Sequence, residues 1–124
     1  MSFTVVIADD DADIRELVTI AVTKSKLSVV ATVTDGAAAL AAIREHNPDL
    51  AILDISMPEM TGIEVTRAVR SDPSIGDVRI LLLSASVDDA ARSIGLAAGA
   101  DYFMAKPFSP RELTAWLAVG KEAR

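Results

Sequence analysis

The 124 residues suit one domain of ordinary size, and a hydrophobic content of 51% is enough for a buried core without disulfide or metal staples. The absence of cysteine excludes disulfides, thiolate metal sites and thiol nucleophiles, and a formal charge of −6 with no cluster of Lys or Arg argues against direct contact with nucleic acid. The opening Met1-Ser2-Phe3-Thr4-Val5-Val6-Ile7-Ala8 has no basic leader, and its apolar run is too short for a signal segment or a membrane span; a cytoplasmic protein with no membrane partner is expected.

Val5 to Ala8 is the first of several apolar, β-branched runs, and Asp9, Asp10 and Asp11 follow it. Ile14, Leu17, Val18, Ala21 and Val22 then recur at the spacing of one helix face. Val29 to Val33 reads as a second strand, and Ala39, Leu40 and Ile43 mark a second helix that Pro48 ends. Leu50 to Leu53 is a third apolar run; it closes on Asp54, with the turn Ile55-Ser56-Met57-Pro58-Glu59-Met60-Thr61-Gly62 behind it. Val65, Ala68 and Val69 give a third helix closed by Pro73, and Ile80 to Leu83 a fourth strand followed by Ser84.

Ser86-Val87-Asp88-Asp89 reads as a capping box for a fourth helix with Ala91, Ile94 and Ala98 inward and Gly99 as its stop signal. Tyr102 to Met104 is a short fifth strand, after which come Lys106 and Pro107. Ser109-Pro110-Arg111-Glu112 reads as a capping box with proline at the first helical position, and Leu113, Trp116 and Leu117 supply the stripe of the last helix. Runs that are apolar almost throughout belong to parallel strands covered on both faces. Strand and helix alternate five times, which predicts an α/β protein: a doubly wound (βα)5 domain over residues 1–124, with right-handed crossovers and helices on both faces of a five-stranded parallel sheet.

Open parallel sheets bind ligands beyond the carboxyl ends of their strands. Read together, those ends hold Asp9, Asp10 and Asp11, then Asp54 and Ser56, then Ser84, then Lys106. Carboxylates pushed together repel unless a hard divalent cation lies between them, and Mg2+ takes oxygen ligands while leaving positions for a phosphate oxygen. A lysine and a hydroxyl facing that metal can hold the remaining oxygens of a phosphoryl group in transfer. One carboxylate is then free to act as nucleophile and form an acyl phosphate.

Asp9-Asp10, the run Asp54-Ile55-Ser56-Met57-Pro58-Glu59-Met60-Thr61-Gly62, Ser84-Ala85, and Gly99-Ala100-Asp101-Tyr102-Phe103-Met104-Ala105-Lys106-Pro107-Phe108 together resemble the receiver domain of response regulators in two-component signalling, in order and across essentially the whole chain. The resemblance implies a flavodoxin-like sheet of strand order 2-1-3-4-5. It implies that Asp54 accepts phosphate from a histidine kinase or phosphotransfer protein, with Asp10, Asp54 and the Ser56 carbonyl as Mg2+ ligands and Asp9 acting through the metal's water shell. Lys106 would pair with the phosphate, Ser84 would be the hydroxyl that moves onto it, and Phe103 the aromatic that turns inward in response. The surface of the fourth helix, fifth strand and fifth helix would then carry the signal to an effector, with a phosphorylation-dependent homodimer as one form of output. Catalysis would be limited to self-phosphorylation and slow dephosphorylation.

Each residue also has a plain structural reading. Asp9 to Asp11 suit a helix N-cap, Asp54 and Lys106-Pro107 suit turns, and Ser84 suits a strand-end hydroxyl; their agreement at successive strand ends is what favours a site. His46 reads as a surface residue near a helix end, and Trp116 and the methionines as packing. Ser84 stands where threonine is commoner in the family and Phe103 where tyrosine is, while Ser56 and Ser86 lie where the family tunes dephosphorylation. Two rivals remain: a pseudo-receiver that only binds partners, and an aspartyl-phosphate Mg2+ phosphatase, which would want an acid at the position of Ser56. No effector domain is read in the sequence, so the chain is expected to be either a whole single-domain regulator or the receiver piece of a longer one. The start of the last helix, Ser109 to Leu113, resembles receivers fused to DNA-binding domains.

Overall fold

The computed structural model describes residues 3–85 and 89–120. They form β1 (Thr4–Ala8), α1 (Ala12–Lys24), β2 (Ser28–Val33), α2 (Gly36–His46), β3 (Leu50–Asp54), α3 (Gly62–Ser71), β4 (Arg79–Ser84), α4 (Asp89–Ala97), β5 (Tyr102–Ala105) and α5 (Pro110–Gly120). The sheet has the order β2-β1-β3-β4-β5, with every neighbouring pair parallel, as the alternation and the resemblance imply. All carboxyl ends therefore share one edge.

Successive residues of a strand point to opposite faces, so the apolar runs feed two separate cores. Val6, Ala8, Ala51, Leu53, Ile80, Leu82 and Phe103 pack with α2 and α3 on one face. Val5, Ile7, Leu50, Ile52, Leu81, Leu83 and Met104 pack with α1 and α5 on the other. The central strands are buried along nearly their whole length, and each fully buried Leu or Ile contributes about 1.5–3 kcal/mol of transfer free energy.

The helix caps divide the predicted acidic run between two roles. Asp11 is the N-cap of α1, accepting from the Asp13 and Ile14 amides, which leaves Asp9 and Asp10 to other work. Thr61 and Glu64 form a full capping box at α3, and the Glu112 amide donates to Ser109 Oγ at α5. Gly99, just past α4, has φ +115, the left-handed backbone expected of a helix stop.

The inward stripe of α4 differs from the one expected. Ile94 is 49% exposed, while Gly95 is the buried residue of this helix and Ala91 packs against the core. A Cβ at Gly95 would lie 2.9 Å from Leu82 Cδ1 and 3.7 Å from Phe103 Cδ2, so the helix backbone itself rests on the sheet and a bulky side chain cannot. The proposed box at Ser86 to Asp88 lies outside the described residues.

Gly62 secures the turn behind Asp54. Its amide donates to the Ile55 carbonyl at 2.9 Å, and a Cβ there would lie 2.5 Å from the Asp54 carbonyl oxygen. Helix propensity favours alanine at this position by about 1 kcal/mol, but the obstruction is backbone and cannot swing away. Gly62→Ala is expected to lose about 1–3 kcal/mol in urea unfolding. A gain in stability would show that the turn opens freely.

Candidate functional site

The shared strand edge brings Asp9, Asp54, Ser84 and Lys106 together from sequence positions almost a hundred residues apart. Asp9, Asp54 and Ser84 are buried, at 1%, 4% and 5% exposure, where polar groups are retained only with partners. Lys106 Nζ lies 2.9 Å from Asp9 Oδ2 and 3.2 Å from Asp54 Oδ1. The other Asp9 oxygen accepts from the Asp11 amide at 2.9 Å, and Asp54 Oδ1 accepts a long bond from the Ser56 amide at 3.4 Å.

Backbone bonds knit the loops to the sheet. The Asp9 amide donates to Val33 O at 3.1 Å, the Ile55 amide to Leu83 O at 2.9 Å and the Lys106 amide to Ser84 O at 2.7 Å. Asp10, Asp11, Asp54, Ile55, Ser56, Ser84, Ala85 and Lys106 line a cleft of about 430 Å3, room for a hydrated cation and a phosphoryl group together.

One ammonium faces more negative charge than it neutralises. Burial, and then the charge of Asp9, push the Asp54 pKa from its ordinary 3.8 up to about 6, against the pull of Lys106. For Lys106 burial acts to lower the pKa, but the hydrogen bond to Asp9 and the charges of Asp54 and Asp9 outweigh it, and the net shift is upward. One oxygen each from Asp9, Asp10 and Asp54 lie within 4.8 Å of one another, and Asp10 is exposed. An all-oxygen donor set, open to solvent on one side, fits a hard divalent cation that keeps part of its water.

Five of the seven expected site residues, Asp10, Asp54, Ser56, Ser84 and Lys106, line the cleft, and Asp9 joins them through Lys106. Phe103 is the exception. It is already turned inward, at 6% exposure, and packs in the core beneath Gly95. His46 ends α2 on the surface beside Glu45, and Ser86 lies outside the described residues. Sequence reasoning misses Arg15: from α1 it donates Nη1 to the Asp9 carbonyl at 2.9 Å. Six residues separate the two, a spacing that places them on no common helix face, so the sequence carries no signal for this contact.

Residues 5–118 match the model of the response regulator receiver domain. The chain belongs to that family. DNA-binding response regulator MtrA of Mycolicibacterium paratuberculosis is 41% identical over 111 residues, which are 90% of this chain and 48% of that protein, so the chain spans about half the length of this relative. Among solved structures, the signal receiver domain of NarL from Mycobacterium tuberculosis superposes with a TM-score of 0.91 at 37% identity, covering 99% of this chain and 98% of that one. CheY in the CheX-CheY-BeF3-Mg complex from Borrelia burgdorferi gives a TM-score of 0.88 at 26% identity, covering 96% and 89%. As a receiver domain of response regulators, the chain belongs to a signalling family whose members switch with phosphorylation and typically bind Mg2+.

The raised Asp54 pKa has a consequence for the metal-free domain. Between pH 3.8 and about 6 the folded state keeps a proton that the unfolded chain has released, so this group's contribution to stability falls as pH rises through that window. Asp54→Asn should therefore raise the unfolding free energy at pH 7.5 by on the order of 1–3 kcal/mol without metal, and flatten the decline. A variant less stable than the parent at pH 7.5 would contradict a carboxylate that is ionised at a cost in the native fold.

Proposed function

We propose that Asp54 is the phosphoacceptor. The observation that carries this reading is the Lys106 ammonium 3.2 Å from a carboxylate that is buried, poorly solvated and crowded by Asp9. Attack by an Asp54 carboxylate oxygen on the phosphorus of a phosphohistidine, on a histidine kinase or a phosphotransfer protein, forms a P–O bond as the P–N bond breaks. The imidazole leaves and takes up a proton. Lys106 Nζ donates to one transferring oxygen and the Ser84 hydroxyl to another.

Asp10, Asp54 and the Ser56 carbonyl would hold Mg2+, with Asp9 acting through water; the ion supplies positive charge to the transferring oxygens. The Borrelia CheY complex, which contains beryllofluoride and magnesium, supports the same use of this cleft.

Once phosphate is on Asp54, Lys106 and Ser84 are drawn to it, and both belong to the region that bears α4, β5 and α5. That face exposes Ile94, Leu96 and Tyr102, and Tyr102 stacks on Trp116 with ring centroids 5.4 Å apart. Phe103, beside Leu82 beneath Gly95 of α4, would couple strand to helix. We assign the face to an effector, as a following domain or a separate protein, or to a second copy of the chain in a phosphorylation-dependent homodimer. Length supports a following domain, since relatives described as DNA-binding or transcriptional regulators run to about twice this chain. No described helix is long and apolar enough to cross a membrane, and a cytoplasmic location belongs to the same proposal.

Incubation with a small-molecule phosphodonor and Mg2+ should add the mass of one phosphoryl group to the protein and none to Asp54→Asn. Equal labelling of the variant would remove Asp54 from the role. A parent that binds neither Mg2+ nor beryllofluoride would leave a binding module.

A further inference from the structure

Asp10 is the one exposed member of the acidic triad, and among the described residues no hydrogen bond holds its carboxylate. Its placement therefore depends on the backbone that delivers it. β1 ends at Ala8, so the Asp9 carbonyl lies beyond the residues paired in the sheet, yet it is held: Arg15 Nη1 donates to it at 2.9 Å. The same planar peptide unit contains the Asp9 oxygen and the Asp10 nitrogen, so fixing that oxygen fixes the plane from which Asp10 departs. Arg15 is itself half-buried in α1, a helix anchored at Asp11 by the cap and at Val18, Ala21 and Val22 by the core.

We propose that Arg15 is a positioning residue for the metal: by pinning the Asp9–Asp10 peptide it keeps the Asp10 carboxylate facing Asp54. The inference rests on the reading of the cleft as a Mg2+ site. Two effects of Arg15 on a cation there have opposite signs. As a bare positive charge it repels the ion, and its removal would tighten binding. As a brace it spares the ion the work of ordering the loop, and its removal weakens binding. Partners that orient metal ligands typically matter by 10–100-fold in affinity, and the partial exposure of Arg15 to solvent weakens its repulsion of the ion. The brace should dominate.

Mg2+ titration by calorimetry, with no phosphodonor present, separates these. Arg15→Met is expected to bind Mg2+ about tenfold more weakly than the parent. Arg15→Lys, which keeps the charge and one donor on a less extended head, should fall between. In phosphodonor kinetics the Arg15→Met variant should need more Mg2+ to reach half its rate and then attain the parent's plateau. Thermal unfolding of the metal-free proteins tests the merely structural role: a lower Tm with unchanged Mg2+ affinity would overturn the proposal. So would tighter binding by Arg15→Met, or a lowered plateau with unchanged affinity. If Arg15→Met does not fold, Arg15→Gln takes its place, and parent-like Mg2+ affinity for Arg15→Gln overturns the brace. A parent that binds no Mg2+ would instead sink the metal reading itself, and the role of Arg15 with it.

Discussion

The Lys106 ammonium, shared by the buried carboxylates of Asp9 and Asp54, is the contact around which the rest of the molecule is arranged. A buried ion pair roughly offsets its own desolvation. Two buried carboxylates on one ammonium do not, and the excess shows in Asp54, whose pKa is held up near 6 by burial and by Asp9. The native fold thus maintains a local surplus of negative charge that a cation bound there would relieve. Its stability is contributed elsewhere, by the two apolar layers on either side of the sheet.

Because the three residues come from the ends of β1, β3 and β5, the contact exists only when those strands lie parallel with their carboxyl ends level. The register of Ala8 beside Leu53, and of Asp54 beside Leu83, sets those ends side by side. Loop anchoring completes the alignment. Gly62 lies too close to the Asp54 backbone for a side chain, and Arg15 reaches back from α1 to the Asp9 carbonyl. The same argument distinguishes α4 from its neighbours. With Gly95 as its buried residue, it presents little apolar area to the sheet, and elements with little buried area open at low cost. In the proposed switch, this is the helix with least to lose by moving.

Much of the fold is legible in the sequence because its signals are local. Apolar runs four or five residues long, helical stripes such as Val18, Ala21 and Val22, and the proline and glycine stops need no knowledge of distant residues. The α4 stripe is not legible in this way, because Ile94 satisfies the helical spacing as well as Gly95 does. Spacing ranks residues by hydrophobicity, and only the closeness of Leu82 shows that a bulky side chain does not fit beneath this helix. The capping box of Thr61 and Glu64 hides inside a segment that reads as a turn, although its pattern is as local as the one at Ser109.

The chain by itself determined which residues could meet: acids, a hydroxyl and a lysine, each at the close of an apolar run, since that position depends only on where a strand ends. Tertiary structure decided the rest. It divided the acidic triplet, assigning Asp11 to the helix cap while Asp9 turned to Lys106 and Asp10 to the solvent side of the cleft. It placed Phe103 inward and brought Arg15 to the Asp9 carbonyl. These are matters of direction and distance between elements, set by how side chains pack across the sheet, and no spacing along the chain encodes them.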